Sequence, residues 1–153
     1  MSMVVKSIEV DVPVAAAFEA CTRFEELPRF MHGVVAVEQL DDRHLSWRAQ
    51  IFGVERVWEL EITEIAPDRV IAWSSRAGPK NQGAIVLEPL STYVTRVTME
   101  IRYDPTGLVE EVTDYLGVLS RWVERSLNRF KDVIEEPHST FSRLPSAEEL
   151  VGH

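Results

Sequence analysis

The stretch Asp104–Glu136, DPTGLVEEVTDYLGVLSRWVERSLNRFKDVIEE, decides the fold. Leu108, Val112, Tyr115, Leu116, Leu119, Trp122, Val123, Phe130 and Val133 recur at helical spacing and make one apolar stripe. Asp104 suits the N-cap and Pro105 the first helical position, and Pro137 stops the helix. The pattern therefore predicts a helix over 104–136. A helix with one apolar stripe must bury it against a partner. Upstream lie six or seven strand-like runs joined by tight turns, and one curved antiparallel sheet is the only partner of sufficient size. A sheet wrapped round a helix leaves room for a cavity between them.

The strands are read from alternation. Val4, Lys6, Ile8 and Val10 open the chain as a first strand. Pro13 then starts a short helix over Val14 to Thr22, where Ala15, Ala16, Ala17 and Ala20 favour helix. A second, irregular helical turn spans Phe24 to Met31 around Pro28. Val34 to Leu40 and Arg43 to Ile51 are strands separated by Asp41-Asp42. Arg56, Trp58, Leu60 and Ile62 share one face of a long strand, with glutamates on the other. Val70 to Ser75 and Ala84 to Leu87 follow, with Ala77 to Gly83 read as a polar loop. Val97, Met99 and Ile101 share one face of the longest clean alternation, Tyr93 to Tyr103. Hairpin-length connections imply an antiparallel meander, and no βαβ crossover occurs. The fold class is α+β, one domain over 1–137, with 138–153 expected as a mobile tail.

Composition narrows the function. A chain of 153 residues carrying a net charge of −9 repels phosphate backbones and anionic membranes. We therefore expect no nucleic-acid partner and no stable membrane anchoring. A single cysteine, Cys21, excludes an internal disulfide, and no apolar run is long enough for a membrane span. A cytoplasmic location is expected. His32, His44, His138 and His153 lack the spacing of a local metal site, so no metal is expected. No Gly-rich phosphate loop and no G-x-S-x-G elbow is present, and no cofactor is expected. Oligomeric state is not legible.

The order of elements, together with several strings, resembles the START-like helix-grip (SRPBCC) superfamily, and within it the polyketide cyclase/dehydrase family. The strings are Ser7–Val14 (SIEVDVPV), Phe24–Met31 (FEELPRFM), Glu55–Glu59 (ERVWE), Ile71–Trp73, Thr95–Thr98 and Tyr103-Asp104-Pro105. The resemblance covers roughly residues 3 to 136. It implies a long C-terminal helix across the concave face of the sheet, two short helices at one edge, and a tunnel for a hydrophobic molecule such as a lipid, quinone or polyketide. In the aromatase/cyclase branch the resemblance places a cavity tryptophan at Leu60, an arginine at Glu64 and a tyrosine at Val34. This chain has none of the three, which favours binding, or a different chemistry, over that cyclisation.

Within such a fold the expected lining is Trp58, Leu60, Ile62, Trp73, Val97, Met99 and Ile101 from the sheet. Tyr115, Leu116, Leu119 and Trp122 face them from the helix, and Leu27, Phe30 and Met31 close one end. The plainer reading is that apolar stripes simply fill a core. Tyr115 and Trp122 argue for a pocket, because a buried hydroxyl or indole N–H needs a partner. Four groups are candidates for acid–base work if the chain is an enzyme. Arg56 could hold a carboxylate or enolate, or snorkel to water. Glu64 could be a desolvated base, or a solvated strand end. His32 could shuttle a proton at the mouth, or sit exposed in its loop. Tyr103 could orient a carbonyl, or be a satisfied core tyrosine. Arg56 and Glu64 stand roughly 26 Å apart along one strand, too far to pair within it.

Overall fold

The computed structural model describes residues 2–51, 53–77, 81–103 and 115–136. The strands are β1 (Ser2–Val10), β2 (Val34–Gln39), β3 (His44–Ile51), β4 (Val54–Ala66), β5 (Val70–Ala77), β6 (Asn81–Ser91) and β7 (Val94–Tyr103). Helix α1 (Val14–Thr22) and a 3-10 helix (Phe24–Arg29) lie between β1 and β2, and helix α2 (Tyr115–Ile134) follows β7. The strands form one antiparallel sheet in the order β1-β7-β6-β5-β4-β3-β2. This is the α+β helix-grip architecture, with the curled sheet on one side and the C-terminal helix on the other. The expected start of the long helix, the Asp104 cap and the expected tail over 138–153 lie outside the described residues.

Turn chemistry sets the strand connections. Asp41 Oδ1 accepts from the backbone N–H groups of Arg43 (2.8 Å) and His44 (2.9 Å) and closes the β2–β3 turn. Those bonds, with the His44 ring beside it, hold the Asp41 carboxyl below its usual range. Gly33 has φ +83°, and a Cβ there would meet the Gln50 carbonyl oxygen at 3.0 Å. Glycine thus lets the chain leave the 3-10 helix and enter β2 against β3, where Gln50 N–H bonds the Gly33 carbonyl (2.7 Å). β6 begins three residues earlier than Ala84, because Asn81 to Gly83 pair with β7 on one side while Gln82 and Gly83 pair with β5 on the other.

The two halves of α2 meet different surroundings. Val123, Leu127, Phe130 and Ile134 are buried and belong to the core with Val4, Val10, Val12, Leu27 and Phe30. Phe30 and Phe130 pack edge to face with centroids 5.1 Å apart. Polar ties fasten the same half. Arg129 Nε donates to the Arg29 carbonyl (2.5 Å), Lys131 Nζ to the Glu9 carbonyl (3.0 Å), and the Asp11 N–H to Glu135 Oε2 (2.6 Å). Gly117 to Ser120 and Trp122, in the preceding half, are only half-buried.

Candidate functional site

A cavity of about 410 Å³ opens beneath the first half of α2. Trp47, Ala49 and Gln50 reach it from β3, Trp58 and Leu60 from β4, Trp73 from β5, Asn81 from β6, and Met99 and Ile101 from β7. Val118, Leu119, Arg121, Trp122 and Arg125 cover it from α2, and the Met31–Val34 segment closes one side. All four tryptophans of the sequence stand on this wall.

Strand register explains the placement. Trp47 on β3 lies directly opposite Trp58 on β4, and Leu45 opposite Leu60. Directly opposed residues share a face, so the inward face of β4 carries Trp47 with it. Trp73 lies opposite Gly83 on β6. A Cβ on Gly83 would come within 2.5 Å of Trp73 Cζ2, so the missing side chain is the space the indole occupies.

The polar groups of the wall divide by depth. His32, Gln50, Arg121 and Arg125 are exposed and rim the mouth. Trp122 Nε1 donates to the His32 carbonyl at 2.7 Å, which ties α2 to the mouth segment. Trp47 Nε1 and Trp58 Nε1 are buried and have no hydrogen-bond partner among the described residues. No cluster of metal-ligating side chains occurs among the described residues. No described helix is long and apolar enough to cross a membrane.

The residues anticipated from sequence fall into three groups. Met31, Trp58, Leu60, Trp73, Met99, Ile101, Leu119 and Trp122 stand on the cavity wall. Leu27, Phe30, Ile62 and Val97 are buried in the core and are not among the lining residues, Phe30 because Phe130 packs on it. The side chains of Tyr103, Tyr115 and Leu116 lie outside what is described. His32 sits at the mouth. Arg56 is half-buried opposite Ala49, two residues from Trp58 toward the β3–β4 turn, and off the wall. Glu64 is exposed. The β4–β5 register shifts between Ile62 and Glu64, so Glu64 pairs with Ala72, whose neighbours Ile71 and Trp73 carry the inward face. The shift turns Glu64 to the outer face. Arg56, Glu64 and His32 therefore do not converge. Trp47, Ala49, Gln50, Val118, Arg121 and Arg125 were not anticipated. The alternation of Leu45, Trp47 and Ala49 was the available signal for β3.

A curled antiparallel sheet gripping a C-terminal helix over an apolar cavity defines a helix-grip domain. Residues 10–132 match the family described as polyketide cyclase / dehydrase and lipid transport, and the chain belongs to that family. An uncharacterized 17.2 kDa protein of the melC2-rnhH intergenic region of Streptomyces lincolnensis is 39% identical over 137 residues, 89% of this chain and 91% of that protein. Among solved structures, the Zhui aromatase/cyclase from Streptomyces sp. R1128 superposes with a TM-score of 0.72 at 18% identity, covering 91% of this chain and 96% of that one. A START superfamily protein from Mycobacterium smegmatis gives 0.69 at 16% identity, covering 85% and 92%. At these identities the two structures speak for the fold.

Proposed function

We propose that the protein is a cytoplasmic binding protein that takes up a hydrophobic, ring-containing small molecule between the sheet and α2. The observation that carries this reading is the cavity wall itself, where four tryptophans meet Met31, Leu60, Met99 and Leu119. An apolar cavity of about 150 Å³ holds one benzene ring. The space here therefore suits two or three fused rings. Affinity would come from apolar burial, about 0.8 kcal/mol per buried methylene equivalent, with few polar groups setting orientation. The mouth supports an amphipathic ligand, since Arg121 and Arg125 have no ion-pair partner among the described residues.

The family and the aromatase/cyclase fold neighbour keep a second reading, a cyclase or dehydrase working on an enolisable ligand. Such an enzyme needs at least two polar groups within reach of one point. Arg56 and Glu64 stand off the wall, and binding is the preferred reading.

The test is native mass spectrometry of the purified protein with solvent extraction, followed by tryptophan fluorescence titration with fused-ring hydrocarbons and steroids. A co-purifying hydrophobic mass, or a saturable change in emission, is expected. A clean protein whose emission responds to no member of the panel would overturn the reading.

A further inference from the structure

We propose that Trp47 and Trp58 form a paired donor site that holds one carbonyl oxygen of the bound ring system. This rests on the reading that the cavity takes a ring-containing molecule. The two residues face each other across β3 and β4 and both line the cavity. Each has a buried Nε1–H with no acceptor among the described residues. Buried polar groups are normally paired, and an unpaired one carries a penalty that a suitable ligand removes. Trp122 shows the ordinary case in the same wall, its N–H held by the His32 carbonyl at 2.7 Å.

An indole N–H donates and accepts nothing. A pair of such groups selects for an acceptor, and a carbonyl oxygen has two lone pairs to meet two donors. Cβ atoms of directly opposed residues stand about 4.5–5.5 Å apart, so the two indoles are neighbours on the wall, and under this proposal their N–H groups share one ligand oxygen. A hydroxyl at the same point brings a proton of its own, and no buried side-chain acceptor of the wall is without a partner among the described residues. A bare hydrocarbon leaves both donors unmet. Of the remaining polar lining groups, His32, Gln50, Arg121 and Arg125 are exposed at the mouth and have water, and Asn81 on β6 is half-buried.

The experiment compares fluorene with 9-fluorenone, which share a three-ring frame and differ by one carbonyl. Dissociation constants are measured by calorimetry on the full chain. The four indole N–H resonances are followed by nitrogen-correlated NMR. Fluorenone is expected to bind roughly tenfold more tightly than fluorene, with the Trp47 and Trp58 resonances shifting and the Trp122 resonance staying. Trp58→Phe removes apolar wall as well as a donor, so both ligands are expected to weaken, and the readout is the ratio of the two dissociation constants, which is expected to fall to about one. Equal affinity of the wild-type protein for both molecules overturns the donor site and leaves the binding reading standing. Binding of neither molecule overturns both. The wild-type comparison decides the matter even if Trp58→Phe does not fold.

Discussion

Gly83→Ala sets two physical effects against each other, and the structure says which wins. Gly83 is not in the left-handed region, so the backbone alone would accept alanine. Stiffening the unfolded chain would then stabilise the protein by about 0.4–1 kcal/mol. The new Cβ, however, would stand 2.5 Å from Trp73 Cζ2, 2.9 Å from Trp73 Cε2 and 2.6 Å from the Glu100 carbonyl oxygen. Carbon atoms pack best at about 3.5–4.0 Å, so the indole must retreat by roughly 1 Å. The Glu100 oxygen cannot follow freely, because it belongs to β7, paired on both sides. Overpacking of this kind costs about 1–3 kcal/mol. The net expectation is a loss of about 1–2 kcal/mol, which lowers Tm by about 2–8 °C in a chain of this length. Thermal denaturation followed by circular dichroism reads this directly. The double variant with Trp73→Ala separates the indole contact from the carbonyl contact through its coupling energy. A Tm for Gly83→Ala that is unchanged or higher would refute the argument, and with it the view that this glycine exists to seat Trp73.

Trp122→Phe removes the bond that ties α2 to the mouth segment and leaves the His32 carbonyl without it. A loss of about 1 kcal/mol is expected, with Tm down by about 2–4 °C and faster release of a bound probe in stopped-flow fluorescence. Burial pushes the Cys21 thiol up to about 12, so iodoacetamide at pH 8.5 should label the protein only after guanidinium unfolding. Between about pH 9 and 12 the unfolded chain loses that proton and the folded one keeps it. The Cys21 contribution is therefore complete below pH 9 and declines as pH rises, by up to about 1.4 kcal/mol per unit. Urea midpoints at pH 8 and 11 should fall further for the wild type than for Cys21→Ala.

Local alternation made much of this fold legible, because a strand with one wet face writes its orientation in period two. Trp58 and Leu60 on β4 and Met99 and Ile101 on β7 were visible in that way, as was Trp73 on its short strand. Three features escaped because they are set by pairing between distant segments. Glu64 has the parity of Trp58 and Leu60, so alternation leaves both a desolvated base and a solvated strand end open, and the register shift after Ile62 selects the solvated one. Gly83 reads as a loop residue, yet it is a strand residue carrying an indole from β5. Phe30 reads as an end cap for a pocket, whereas Phe130 comes down on it from a hundred residues away. The free donors of Trp47 and Trp58 are of the same kind, since only register brings the two rings opposite each other.

The division of α2 explains how a domain of this size tolerates its cavity. If about 410 Å³ were a dry void, at about 24 cal/mol per Å³ it would cost on the order of 10 kcal/mol, as much as an ordinary domain's whole stability. The space must therefore be filled, by solvent entering past His32, Arg121 and Arg125 or by a ligand. Water gains little on an apolar wall, and ring surface gains more. The second half of α2 carries the fold whatever fills the first. Val123, Leu127, Phe130 and Ile134 are core, and Arg129, Lys131 and Glu135 tie that half to the 3-10 helix, to β1 and to the turn after it. The first half can then remain a roof rather than a plug. A ligand that binds only the folded state adds stability as RT ln(1 + [L]/Kd), about 2.7 kcal/mol at a hundredfold excess over Kd. Ligand should thus raise Tm by about 5–11 °C, and because no residue of Leu127–Ile134 lines the cavity, hydrogen exchange should slow in Gly117–Arg125 and stay constant in Leu127–Ile134.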